Sequence, residues 1–143
     1  MIEAAPIIVT AAVIEREGRF LVTRRLQGTH LEGCWEFPGG KCEPGEALAD
    51  CLIREIREEL DATVHVGPEI HRTIHAYPDR TVELRFFESA LEGEPRPMLG
   101  QQIRWASSAD LHALDFPPAD RELIELLRAR GADITARDPA HDH

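Results

Sequence analysis

Residues 40–62, GKCEPGEALADCLIREIREELDA, decide the reading of this 143-residue chain. The stretch leaves a Gly39-Gly40 pair behind "WEFP", reaches Glu46 after five intervening residues, and ends in Arg54, Glu55, Ile56, Arg57, Glu58 and Glu59. Leu48, Leu52, Ile56 and Leu60 recur at every fourth position, which predicts a helix over Glu46–Leu60 with one apolar stripe. On such a helix, positions i, i+3 and i+4 share a face. Glu55, Glu58 and Glu59 therefore project from a single stripe beside the apolar one. Three carboxylates so close repel one another unless a cation sits among them, and hard divalent cations such as Mg²⁺ take oxygen ligands of this kind. The plainer reading is a solvated Glu/Arg face whose local pairs each contribute a few tenths of a kcal/mol. The glycine-rich entry favours the first reading. A strand, a "FPGG" turn and a glutamate-lined helix form a unit that can turn backbone groups and carboxylates toward one ligand.

The rest of the chain supplies strands and a second helix. Ile7–Glu15 is rich in β-branched residues, and Arg19–Arg24 returns after "EREG", which predicts a hairpin. Gln27–Gly33 reads as a loop, and Trp35–Phe37 as a short extended piece entering the Pro-Gly-Gly turn. Thr63–Val66, Ile70–Ala76 and Thr81–Leu91 read as strands, the last two joined through "YPDR". Gly93–Gly100 is a loop and Ile103–Ala106 a strand. Ser108–Leu114 is a short helix with Ser108 as its N-cap. Pro118–Arg130 is a longer helix that Gly131 should stop. Mixed strands with two main helices imply an α/β layered sandwich. The expected organisation is one domain over residues 1–131 and a polar, mobile tail over 132–143.

The length suits one domain with a single sizeable core. The net charge of −10 disfavours binding to a nucleic acid polymer or an anionic membrane, but not to a small nucleotide arriving with metal. Cys34, Cys42 and Cys51 form no C-x-x-C, and the expectation is that all three are reduced. The N-terminal apolar run from Ile7 to Ile14 is too short to span a bilayer, so a cytoplasmic protein is expected. Nothing in the sequence specifies an oligomeric state.

Gly40, Glu46, Arg54, Glu55, Ile56, Glu58 and Glu59 stand in the register G-x5-E-x7-R-E-U-x-E-E, where U is a bulky aliphatic residue. This resembles the signature of the Nudix hydrolases. Two positions depart: Asp61 replaces the usual second glycine, and Ala62 the final aliphatic residue. Both lie at the helix C-terminus, away from the carboxylates, and Asp tolerates the left-handed conformation that a glycine supplies there. "LVTRR", "WEFPGGK", "YPDRTVELRFF" and "DFPPAD" extend the resemblance over nearly the whole chain, toward the MutT type. The resemblance implies an αβα sandwich around a mixed β-sheet. It also implies Mg²⁺-dependent cleavage of a nucleoside triphosphate to the monophosphate and pyrophosphate, with Mn²⁺ as a possible substitute. Oxidised guanine nucleotides lead as substrates, which makes the expected role that of an 8-oxo-dGTP diphosphatase sanitising the nucleotide pool. CTP or another pyrimidine triphosphate comes second. A nucleoside diphosphate-sugar or dinucleotide hydrolase, and a catalytically silent nucleotide sensor, are the other readings.

By the same resemblance, Glu55, Glu58, Glu59 and the Gly39 carbonyl are the expected metal ligands. Arg54 is expected to orient a carboxylate, and Glu55 or Glu58 to be the base. Glu46 either joins this set or caps the helix. Arg24 and Arg25 face opposite sides of their strand, so one of them, with His30, is a candidate for substrate phosphate. Lys41 is a weaker one. Phe37, Trp35, Tyr77 and Phe116 are possible stacking surfaces. Asp120 is the candidate base reader: ionised, it only accepts hydrogen bonds and would suit the N1–H and N2–H₂ donors of guanine. The alternative for Asp120 is a helix-terminus carboxylate. One departure bears on chemistry. The MutT pattern places a glutamate in the loop before the "RW" strand, where this chain has Leu99 and no Asp or Glu between Pro95 and Ala109.

Overall fold

The computed structural model describes residues 5–137. Among the described residues seven strands are formed: β1 (Ile7–Arg16), β2 (Arg19–Arg24), β3 (Trp35–Glu36), β4 (Gly39–Lys41), β5 (Thr63–Tyr77), β6 (Arg80–Glu92) and β7 (Ile103–Ser107). The helices are α1 (Leu48–Leu60), α2 (Ser108–Ala113) and α3 (Arg121–Arg137), with a single 3₁₀ turn at Pro118–Asp120. The strands run β3-β2-β1-β6-β5, with β4 also on β1 and β7 also on β2. The sheet is mixed: β1 lies parallel to β6, while its pairings with β2 and β4 are antiparallel.

Alternation on the central strands sorts their side chains into two cores. Ala11 and Val13 of β1, with Phe20 and Val22 of β2, pack under Leu111 of α2 and Leu123 and Leu127 of α3. Ala12 and Ile14, with Leu21, pack on the other face against Leu52, Ile56 and Leu60 of α1. Helices thus cover both sides of the sheet, as the αβα reading expects. The apolar stripe of α1 is the face that docks it, and the docking fixes where its acidic stripe points.

Several boundaries differ from the sequence reading, each for a local reason. Pro-Gly-Gly is more than a turn, because Gly39–Lys41 pairs with β1 in the register Ala11↔Gly39 and Thr10↔Gly40. A Cβ at Gly39 would lie 2.8 Å from the Ala11 Cα, which is why glycine stands there. Gly39→Ala should lower the unfolding free energy by about 1–3 kcal/mol, read in a urea titration. Helix α1 begins at Leu48, so Glu46 lies in the turn ahead of it. Thr63–Tyr77 is one strand with register shifts between Val66 and His71, not two. Ser107, not Ser108, caps α2, in a reciprocal capping box with Asp110. The Pro118–Arg130 segment divides into the 3₁₀ turn and α3, and α3 passes through Gly131 to Arg137. Residues 138–143 of the expected tail lie outside the described residues. Asp61 takes the left-handed conformation at φ 51°, and its N–H donates to the Arg57 carbonyl, as expected for a residue in glycine's place.

The cysteines require a further correction. Cys42 and Cys51 are joined in a disulfide, and Cys34 is free. Their positions nine residues apart gave no hint of this. The return of β4 onto β1 brings Cys42 to within 5.3 Å, Cα to Cα, of Cys51 in the first turn of α1.

Candidate active site

A cavity of about 410 Å³ opens where the carboxyl half of α1, strand β4 and the β5–β6 hairpin meet. Its floor is apolar, built by Val9 and Ala11 of β1 with Val82, Leu84 and Phe86 of β6. Its rim is charged and comes from separate elements. Glu55 and Glu59 enter from α1, Gly39 to Lys41 from β4, Arg25 from the position just after β2, and Glu36 from β3. His30 enters from the loop after β2, Tyr77 and Arg80 from the β5–β6 hairpin, and Asp120 from the 3₁₀ turn.

Arg54 organises the acidic end. Its Nε and Nη2 donate to Glu46 at 2.9 Å each, and its Nη1 to Glu55 at 2.9 Å and Glu58 at 3.1 Å. Nη2 also reaches the Lys41 carbonyl at 3.2 Å, tying the helix to β4. The Arg54 guanidinium holds the Glu46 carboxyl down to about 2, with help from the Glu43 amide. Glu46 is therefore a tether for Arg54. Glu58 lies outside the cavity lining with 58% of its side chain exposed. Glu55 and Glu59 face inward and interact with each other. Burial, then the charges of Glu36 and Glu55, push the Glu59 carboxyl up to about 9.

At the other end Asp120 is 4% exposed, and burial followed by the charge of Glu36 pushes its carboxyl up to about 8. Where the sequence reading took Asp120 as ionised, this burial favours the neutral acid, with one donor and one acceptor. Its place in the cavity lining also sets it apart from a plain helix-terminus carboxylate.

Of the two arginines, Arg25 takes the cavity side, pairing with Glu36 at 2.9 Å and donating to the His30 carbonyl. Arg24 turns the other way, to the Gly33 carbonyl, Gln102 and the Trp35 ring. Trp35 and Phe116 likewise stay out of the lining, whereas Phe37 serves both core and cavity wall. His30 packs edge-on to Tyr77 with ring centroids 4.8 Å apart, and its Nε2 is buried without a hydrogen-bond partner. Lys41 is exposed at the rim. Sequence reasoning missed Glu36 and Arg80. Glu36 is placed by the strand pairing: Thr23 registers with Glu36, so Arg25 is a near neighbour of opposite charge on the adjacent strand.

The NUDIX domain profile matches residues 9–126. The 8-oxo-dGTP diphosphatase of Escherichia coli strain K12 is 34% identical over 122 residues, covering 84% of this chain and 95% of that protein. The CTP pyrophosphohydrolase of the same strain is 36% identical over 132 residues, covering 87% and 96%. The solution structure of the E. coli ORF135 protein superposes with a TM-score of 0.75 at 34% identity, covering 92% of each chain. The chain belongs to the Nudix hydrolase family. Enzymes of this family act with a divalent metal. The residues present suit one: Glu55 and Glu59 offer hard oxygen donors beside the Gly39 backbone.

Proposed function

We propose that this protein hydrolyses a nucleoside triphosphate to the monophosphate and pyrophosphate with Mg²⁺, Mn²⁺ serving as substitute, and that oxidised guanine nucleotides are its substrates. The observation that carries this reading is that one cavity joins the Glu55–Glu59 pair to the buried Asp120. A base seated at Asp120 would extend its phosphates toward the glutamates. Glu55, Glu59 and the Gly39 carbonyl are the proposed metal holders. When bound, the cation neutralises phosphate charge and lowers the pKa of water. Arg54 fixes the carboxylate of Glu55, which is the proposed acceptor of the attacking water's proton. Glu58, bound to Arg54 on the solvent side, helps orient the arginine. Lys41 at the rim and Arg25 beside His30 supply positive charge for the phosphates.

Neutral Asp120 pairs with an edge that sets one donor next to one acceptor. Oxidised guanine has such an edge at N7–H and O6, where unmodified guanine has two acceptors. Cytosine has one at N4–H₂ and N3, which makes CTP the second reading and agrees with the CTP pyrophosphohydrolase among the relatives. Incubation with Mg²⁺ and a panel of 8-oxo-dGTP, dGTP, CTP and a nucleoside diphosphate-sugar tests both. Monophosphate with pyrophosphate from 8-oxo-dGTP is expected. Release of orthophosphate, or binding without turnover, overturns the proposal. The cytoplasm is the proposed location, and among the described residues no helix is long and apolar enough to cross a membrane.

The Leu99 loop is docked on the helix that carries the glutamates. The Met98 N–H and the Gln101 Nε2 both donate to the Glu59 carbonyl, at 3.1 and 2.9 Å. Leu99 itself is 54% exposed, so a longer polar side chain fits there. Leu99→Glu should add an oxygen ligand and lower the Mg²⁺ half-saturation roughly tenfold. An unchanged Mg²⁺ titration and rate would show that this loop does not serve the metal.

A further inference from the structure

The Cys42–Cys51 bridge spans the connection between β4 and α1, the two elements of the proposed metal end. Cys42 follows directly on β4, which presents Gly39 and Gly40, and Cys51 lies one helical turn before Glu55. Between them runs the segment that carries Glu46, the anchor of Arg54. The bridge is seated in the fold: Cys51 is fully buried, its Sγ lies 3.2 Å from the Thr10 hydroxyl, and its contact with the Gly40 carbonyl is 3.8 Å. Cys42 is only partly buried.

We propose that Cys42 and Cys51 are a reversible redox modification site whose disulfide clamps the catalytic helix to β4. The oxidant is a small-molecule disulfide. The Cys42 thiolate attacks one of its sulfurs, breaking that S–S bond and releasing one thiolate, which takes up a proton. The Cys51 thiolate then attacks the mixed disulfide at Cys42 and expels the second small thiol. Two protein thiols are oxidised to one disulfide, and one small disulfide is reduced to two thiols. An excess of small thiol reverses both steps. In the reduced state the Thr10 hydroxyl remains beside the Cys51 sulfur, so the core is not left with an unpaired group. What is lost is the covalent tie across residues 42–51, leaving the Arg54 bond to the Lys41 carbonyl and the apolar packing of α1 to hold the helix in place. Oxidation therefore favours the organised metal end, in a protein whose proposed substrates are themselves products of oxidation.

The test uses the whole protein equilibrated in mixtures of a small disulfide and its thiol, then acid-quenched, unfolded in denaturant and alkylated. One alkylatable thiol, Cys34, is expected in the oxidised limit and all three in the reduced limit. Reduction should lower Tm by about 5–10 °C and raise the Mg²⁺ half-saturation roughly threefold or more. Cys42→Ser should abolish the response, whereas Cys34→Ser should retain it. Three alkylatable thiols at every ratio would overturn the site. One thiol with an unmoved Tm and Mg²⁺ titration would overturn the clamp. Thiol counts and Tm require no substrate, so this result stands apart from the outcome of the nucleotide panel.

Discussion

Glu59→Gln lowers kcat by at least about 10²-fold, the effect typical of losing one important electrostatic contribution at a transition state. The amide keeps the shape of the carboxyl, and at pH 7 the metal-free Glu59 is itself protonated, so folding and Tm should be unchanged. Glu55→Gln should lose as much, and it also removes a charged partner of Arg54. Glu58→Gln should cost less, because Glu58 is turned toward Arg54 and solvent. A pH dependence identifies the cause. Any cation held by Glu59 must displace a proton held up to about 9, so the wild-type Mg²⁺ half-saturation should fall as pH rises toward 9. In Glu59→Gln that slope should flatten. Near-normal turnover of Glu55→Gln and Glu59→Gln at limiting Mg²⁺ would sink the metal-end assignment.

Asp120 gives the second large effect. Its carboxyl is neutral below about 8 and loses its donor above that pH. For oxidised guanine the lost donor leaves O6 unpaired, and a buried unpaired group costs about 1–3 kcal/mol, or roughly 5- to 150-fold in kcat/KM. The kcat/KM for 8-oxo-dGTP should therefore fall as pH rises through 8. Asp120→Asn keeps one donor and one acceptor at every pH, so its kcat/KM for 8-oxo-dGTP should not fall over that range. Stability provides an independent check. A carboxyl whose folded value lies above its unfolded one stabilises most below the unfolded value and loses that contribution as pH rises to the folded value. Asp120→Asn should thus gain on the wild type between about 4 and 8. A kcat/KM for 8-oxo-dGTP that falls with pH equally in both proteins would make Asp120 a bystander.

The elements that position the site were legible because they repeat. Leu52, Ile56 and Leu60 announced α1 and its buried face, and the same periodicity placed Glu55 and Glu59 beside it. The division of labour among the glutamates was not legible. Glu55, Glu58 and Glu59 share a stripe, and only the docking angle of α1 and the reach of Arg54 turn two inward and one outward. Arg24 and Arg25 were equivalent by strand alternation until the fold showed which side of β2 faces the cavity. The state of Asp120 was misread because burial and the charge of Glu36 belong to the assembled cavity, not to local sequence. The cysteines were misread for the same reason, since the return of β4 onto β1 is a tertiary event.

Strand β1 sets a schedule for how the molecule comes into being. Its residues Ile7 to Ile14 pair with Val82 to Ser89, partners made about 75 positions later, while its last two residues pair at once with the start of β2. Closing so long a loop is slow in entropic terms, and parallel pairing offers no local shortcut. During synthesis the hairpin at Glu15–Phe20 can form early, but the cavity floor waits for β6 to leave the ribosome. Until then Val9 and Ala11 lack Leu84 and Phe86 opposite them, and the glutamate helix has no cavity to face. Catalytic competence therefore arrives together with the completed sheet, so a chain truncated before residue 82 carries the whole glutamate helix and still has no enzyme.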